Sequence, residues 1–571
     1  MPEPSVDPIT LEVVGNALMA ASEEVAASLI RTAYSSNIKE RADCSVAVFD
    51  GRGRLIVQAE HIPIHLGSML GIVDNIAQRY KPEEIHPGDV FLANDPYHGG
   101  GTHLPDITVA QPVFVRNEVV AYVANIAHHS DVGGRVPGSN SGDTRHIFEE
   151  GLRLPPVKVM NAGTLDPDIL GIIMLNSRLP RERLGDLKAQ IASTFVGCQR
   201  IEKLHEKYGR PQMAACLEEM LNYAERRIRS RIKAIPEGVY RFTDHMDDDG
   251  YTNEPIPISV ALTVKGDTLS LDFAGSGREA QGALNVVESA LKATVFYAVK
   301  ALLDPTVPSN AGFQRALKIT APLGTIVNCK APAPVSARTE TCQRIVDVIF
   351  GAMAGAVPHR VLAGCNSTLN GINISGVDPR SGEFYVYPET IGGGMGARPT
   401  KDGLDGVHVH VTNSSNLPIE ALETEYPLRV DRYELVQDSG GAGTYRGGMG
   451  IRRDIRIIGH RAELSTHADR QRFAPWGLRG GASGSPGRMV VNLGRKTQRV
   501  LPSGKNSNVQ LKDGDVLTVI TPGGGGYGPP KSRDKAAVQR DILEEAVSTK
   551  KPGGKKPAGG RTSLPRRERV G

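Results

Sequence analysis

A chain of 571 residues is longer than one ordinary hydrophobic core can serve, so several domains are expected. Hydrophobic residues at 40% and charged residues at 23% mark a globular protein, and 64 Gly with 38 Pro point to many turns and short strands rather than long bundles. The formal charge of +4 is concentrated at the end: residues 550–571 carry a net +7, which leaves the body at −3, and with aromatics at 5% specific nucleic-acid binding has no support.

Six cysteines (Cys44, Cys198, Cys216, Cys329, Cys342, Cys365) lie far apart without a CxxC, so reduced thiols are expected rather than a disulfide framework or a zinc knuckle. The opening MPEPSVDPITLE has no basic start ahead of an apolar core. No apolar run approaches the roughly 18 to 20 residues that span a bilayer, so a cytoplasmic enzyme or complex subunit off the membrane is expected. The fold class expected is α+β: multi-domain and strand-rich, with a helical segment around 166–234.

The first expected domain, 1–165, is an N-terminal helix followed by strands. Asp7 and Pro8 make a helix start, and Leu11, Val14, Leu18, Ala21, Val25 and Leu29 recur at helical spacing, with Glu12, Glu23 and Glu24 on the solvated face. From Asp43 the period changes to two β-runs around GRG. Pairing Asp50 with Arg54 places Asp43 opposite His61, and HIPIHLGSM adds His65.

The stretch from Asn94 to Gly134 carries His98, His103, His128 and His129 with Asp95, Asp106 and Asp131 around two apolar runs. DITVAQPVFV and VVAYVANIAHH form a hairpin. If Arg116, Asn117 and Glu118 are its loop, Asp106 faces His128; a two-residue loop slips the register by one and turns them to opposite faces. Pro105 allows a bend that brings His103 inward. His103, Asp106 and His128, with Asp43 as a possible fourth, are a nitrogen and oxygen set suited to Zn, Mn or Fe(II) with positions left open; a buried hydrogen-bond network accounts for the same residues equally well.

Farther on, GDTRHIFEEGLRLPPVKV reads as a loop entering a strand, with His146, Glu149 and Glu150 able to face a pocket. Residues 166–235 are the helical segment, punctuated by Pro180, Gly209 to Pro211 and Pro236, with Met174, Met213 and Met220 as core. Residues 236–375 are a mixed α/β region. Its YRFTDHMDDDGY lacks the EF-hand order of ligands and is expected to be an exposed β-turn. Ser336, Arg338, Thr339 and Thr341 precede a helix of about 15 residues, where amides and a guanidinium favour a phosphate or carboxylate. Residues 376–530 are glycine- and strand-rich. There YPETIGGGMGA suggests a lid or pocket wall with Glu389 its only acid, and GGAGTYRGGMG lacks the spacing and flanks of a dinucleotide fingerprint. Residues 531–571 comprise a short helix and a disordered basic tail.

The runs SSNIKERADCS, QAEHIPIHLGSM, GDVFLANDPYHGGGTHLPDITV, IFEEGLRLPPVK, APAPVSARTETCQRIVDV, YPETIGGGMGAR and TPGGGGYG together resemble the hydantoinase B/5-oxoprolinase family over roughly residues 7–530. The resemblance implies a B-type subunit that works with a separate A-type ATPase subunit, which phosphorylates the carbonyl oxygen of a small cyclic amide. It also implies a hetero-oligomer in which the B-type subunit holds a divalent transition metal (Mn, Zn or Fe) on His103, Asp106 and His128, with Asp43 a further ligand in lactam-opening members. His129 and Asp131 are the candidates for catalytic or supporting roles beside the ligands, and Arg338, Thr339 and Glu389 for substrate binding. The same family includes subunits of ketone carboxylases, so carboxylation is the alternative reaction, and a non-catalytic scaffold is a second alternative.

Overall fold

A computed structural model of the chain describes residues 6–59 and 62–549. The expected partnership of Asp43 with His61 and the basic tail at 550–571 lie outside the described residues.

Helix α1 (Pro8–Thr32) begins where Asp7 accepts the Thr10 N–H and Pro8 occupies the first turn. Val14, Leu18, Ala21, Val25 and Leu29 are buried, Glu12, Glu23 and Glu24 are exposed, and Glu24 pairs with Arg200. By length and composition alone α1 is apolar enough to cross a membrane. Its apolar stripe is instead packed against Val46, Val48, Ile201 and Met213.

Strands β1 (Cys44–Asp50), β2 (Leu55–Ala59), β3 (Val90–Ala93), β4 (Asp106–Val115), β5 (Glu118–His128), β6 (Val157–Asn161) and β7 (Thr164–Leu165) form one sheet in the order β2-β1-β5-β4-β3-β6-β7. The β4–β5 hairpin closes on two residues rather than three: Arg116 and Asn117 have φ of 50° and 63°, as a type I′ turn requires, and Val115 faces Glu118. That turn alone would separate Asp106 from His128. An extra residue on β5, Val120, lies between the Phe114–Val119 and Val113–Ala121 pairs, and this bulge restores the lost step so that Asp106 faces His128.

Helices α2 (Pro167–Leu175), α3 (Pro180–Tyr208) and α4 (Arg210–Lys233) follow, broken at Pro180 and at Gly209, whose φ is 73°. Leu187, Ile191, Cys198 and Ile201 of α3 are buried, as is Met213 of α4, while Met174 and Met220 are half-buried against the cores.

The third part is a four-stranded sheet, β8 (Gly238–Met246), β9 (Ile256–Lys265), β10 (Thr268–Asp272) and β11 (Leu317–Thr320), in the order β11-β10-β9-β8. It is covered by α6 (Arg338–Met353), on which α5 (Glu288–Leu303) packs in turn, and α6 is buried at every position. The largest core runs from Ile62 to Leu478, so the four large segments share one interior.

The acids at the end of β8 and just after it are not an exposed turn. Asp244, Asp247 and Asp249 are buried. Asp247 accepts the backbone N–H groups of Gln471 and Phe473, Lys505 reaches Asp469 (2.6 Å) and Asp248 (3.4 Å), and Arg470 reaches Asp244 (2.9 Å). Distant cations balance this buried charge and tie the α6 layer to the C-terminal strands.

Those strands are β12 (Gly371–Val377), β13 (Phe384–Glu389), β14 (Leu428–Leu435), β15 (Ile451–Ile457), β16 (Ala462–His467), β17 (Arg488–Val491), β18 (Arg499–Val500), β19 (Asn506–Leu511) and β20 (Val516–Ile520). They make two sheets, β13-β12-β16-β19 and β14-β15-β20-β17-β18. The glycine runs stack backbone on backbone: Gly394 N–H donates to the Pro522 carbonyl, Gly448 N–H to Met395 and Gly524 N–H to Gly448. A Cβ on Gly524 would lie 2.1 Å from the Met395 oxygen. The run around Gly394 is thus a fixed wall, not a lid. After Pro530, a short helix at Lys535–Leu543 is capped by Asp534.

Candidate metal centre

The end of the β4–β5 hairpin and the bend before it bring three side chains to one point. His103 Nε2 lies 3.0 Å from Asp106 Oδ1 and 3.1 Å from His128 Nδ1, and His128 Nδ1 is 3.2 Å from the same Oδ1. His103 and Asp106 are buried, while the His128 side chain keeps 14% exposure toward a narrow pocket.

Each member is held by its other polar atom. His103 Nδ1 is 3.1 Å from the Ser336 carbonyl oxygen, an acceptor only, so the ring proton sits on Nδ1 and Nε2 turns a lone pair toward the other two. Burial, then the nearby Arg338 guanidinium, push His103 down to about 3. The ring is therefore neutral near pH 7. Asp106 Oδ2 accepts from Arg338 (2.8 Å) and from the Thr102 hydroxyl (3.2 Å), which leaves Oδ1 for the shared point. Burial would raise Asp106, but the Arg338 guanidinium on Oδ2 opposes it, and the carboxyl is held well below its usual range.

The donor set fits a divalent transition ion. Two imidazole nitrogens and a carboxylate oxygen about 3 Å apart form a triangle whose corners a metal at ligand distances of about 2.1 Å touches from one side, leaving the opposite side open. Asp43 lines the same pocket, and its carbonyl accepts the His128 N–H (3.0 Å), but its carboxylate stands outside the convergent trio.

The other expected site residues divide. Arg338 and Thr339 line the pocket, but the guanidinium is already occupied by Asp106, Thr102 and the Thr339 hydroxyl. Glu389 is on the wall, ion-paired with Arg453 at 3.0 Å. His129 and Asp131 are elsewhere. Alternation along the chain turns His129 away from His128, and its Nε2 lies 2.7 Å from Gln190 Oε1 on α3. Asp131 is filled by the N–H groups of Gly133, Gly138 and Arg178 and by the Arg178 guanidinium, so neither residue touches the pocket. His98 and His146 are exposed. Glu150 is buried, where desolvation raises it to about 7 against hydrogen bonds from Thr144, Val335 and Ser336. Cys342 is pushed up to about 11 by burial and offers no thiolate.

A second group, Asp347, Cys365 and His410, also converges, but Arg470 already sits 2.5 Å from the Asp347 carboxylate, and burial drives the Cys365 thiol well up. It reads as part of the buried ion network. The pocket contains further residues that the sequence did not mark: Arg41, whose guanidinium donates to the Pro388 carbonyl, and His467, bound to Glu340. Their sequence neighbours, ERADC and THADR, carry no spacing signal that joins them to the trio.

A family model described as hydantoinase B/oxoprolinase matches residues 7–530. The B component of a putative D-/L-hydantoinase from a Pseudomonas species is 34% identical over 563 residues, covering 96% of this chain and 94% of its own. The crystal structure of the ATP-dependent caprolactamase from Pseudomonas jessenii superposes with a TM-score of 0.88 at 30% identity, over 95% of each chain. Nucleotide-free acetone carboxylase superposes with a TM-score of 0.87 at 20% identity, over 95% of this chain and 78% of that one, which is a likeness of fold.

Proposed function

The chain belongs to the hydantoinase B/oxoprolinase family, and from that premise we propose that it is the metal-binding subunit of an ATP-dependent cyclic-amide hydrolase. It opens a hydantoin or a 5-oxoproline-like lactam after an A-type partner subunit phosphorylates the ring carbonyl oxygen. The observation that carries this reading is the convergence of His103, Asp106 and His128 at a narrow pocket, in a sequence that lacks a P-loop or dinucleotide fingerprint of its own.

His103, Asp106 and His128 hold a Mn, Zn or Fe(II) ion, with Asp43 on the same wall as the fourth candidate ligand. Such an ion supplies a Lewis acid and lowers the pKa of a water toward neutrality. Arg338 keeps Asp106 ionised and oriented, and Thr339 and Glu389 border the substrate. His129 and Asp131 act by position: the first anchors the end of β5 to α3, and the second shapes the loop from 131 to 138. Six buried free cysteines accord with a reducing, cytoplasmic setting.

The fold shared with acetone carboxylase supports one second reading, ATP-dependent carboxylation of a ketone. Purified with its partner subunit, the protein is to be assayed with ATP for ring opening of hydantoin, 5-oxoproline and caprolactam, and in parallel for acetone-dependent bicarbonate fixation. Ring opening that requires ATP and metal is the expected result. Bicarbonate fixation without ring opening refutes it in favour of the carboxylase.

A further inference from the structure

The first turn of α6 serves two walls of the pocket. Arg338 reaches Asp106 in the metal trio, and two residues later Glu340 reaches His467 on the facing sheet, with Glu340 Oε1 3.0 Å from His467 Nδ1. Both members of this second pair are buried, at 0% and 4% side-chain exposure. Glu340 also accepts the Leu369 N–H, which fixes its carboxylate. His467 ends β16 opposite Gly371 of β12, and a Cβ on Gly371 would lie 2.1 Å from His467 Nε2. Only glycine there leaves the ring its place.

A carboxylate on Nδ1 sets the ring tautomer and leaves Nε2 as the nitrogen that exchanges protons. Nε2 has no hydrogen-bond partner among the described residues, and His467 lines the same pocket as His103, Asp106 and His128. The arrangement therefore sets a carboxylate-oriented imidazole across the pocket from the candidate metal ligands, where a ring opening needs a group to move a proton.

We propose that His467, oriented by Glu340, is the proton carrier of the ring-opening step. This rests on the cyclic-amide reading above. The reacting form is the N-protonated amide whose carbonyl oxygen the partner has phosphorylated from ATP. As the water oxygen bonds to the ring carbon, one water proton passes to His467 Nε2. When the C–N bond breaks, its electron pair stays on nitrogen, which takes the Nε2 proton and leaves as an amine. The new hydroxyl closes to a carbonyl and releases its proton to solvent, which leaves the ring-opened acyl phosphate and returns the imidazole to its starting state; a second water then cleaves the acyl phosphate to the carboxylate and inorganic phosphate. Glu340 is a positioning residue that touches no substrate.

The test is made on the complete complex with ATP and whichever of hydantoin, 5-oxoproline or caprolactam the wild type opens. His467→Ala lowers kcat by about 10² to 10⁴, the range of general acid–base catalysis, with KM changed less than about threefold and metal content unchanged. Because the ring faces the pocket, free imidazole restores at least about tenfold of the lost kcat, a rescue that a packing role would not give. Glu340→Gln lowers kcat by about tenfold at unchanged KM. His467→Gln serves in place of the alanine variant if that one does not fold. A kcat within about threefold of wild type in both His467 variants, or loss of the metal with the ring, overturns the assignment while leaving the amide reading intact. A wild-type complex that opens none of the three rings sinks both.

Discussion

Arg338→Met isolates the electrostatics on which the proposed metal centre depends. Arg338 is 4% exposed and its ion pair with Asp106 spans 2.8 Å between groups that are both buried. Removing one partner of such a pair strands the other charge at a cost of about 3–5 kcal/mol. Methionine fills much of the volume, so packing loss adds little. A divalent ion on Asp106 would supply the missing positive charge. The variant is therefore expected to lose about 3–5 kcal/mol in chelator and to recover much of it in excess Mn or Zn, since a ligand that binds only the folded state stabilises it. Denaturant melts of wild type and variant, each with EDTA and with metal, measure this directly. Equal stability in EDTA would show that the pair contributes nothing, and an equal deficit with and without metal would show that no cation reaches Asp106.

Glu150 titrates near 7 because burial outweighs its hydrogen bonds. A folded pKa raised above the unfolded value of about 4.5 gives stability that is full below 4.5 and lost as pH rises through 7, a difference on the order of 3 kcal/mol. Glu150→Gln should gain on wild type between pH 5 and pH 8, and parallel urea melts at the two pH values check the sign. Lys505→Met removes one of the two cations on Asp469, with Arg344 still 2.8 Å from the other oxygen, and should cost about 1.5–3 kcal/mol in the same assay, whereas a loss below about 0.5 kcal/mol would mean water screens that network. Gly524→Ala drives a Cβ to 2.1 Å from the Met395 oxygen and should lower stability by at least about 1–3 kcal/mol, read as a fall in the thermal midpoint.

Local rules account for what could be read ahead of the structure. Asp7-Pro8 and a helical apolar stripe gave α1, and proline and glycine punctuation gave the helices between 166 and 234. The pairing of Asp106 with His128 was legible for an incomplete reason. The turn has two residues and the bulge at Val120 compensates, and an extra strand residue leaves no mark in composition or periodicity. Distance in sequence hid the rest. Asp244 to Asp249 look like a solvated turn until Arg470, Gln471 and Lys505, more than two hundred residues later, fold onto them. His467 meets Glu340 across a sequence separation of 127 residues, so no spacing rule could join them. His129 shows the converse error: proximity in sequence to His128 suggested a shared site, while strand alternation sends the two rings to opposite faces.

His103, Asp106 and His128 are proposed to form a metal centre. Its most direct measurement is elemental analysis of the purified complex, wild type against His128→Ala. About one Mn, Zn or Fe per chain is expected in the wild type, with a loss of most of it in the variant. A variant that keeps its full metal content would place the ion elsewhere and contradict the account.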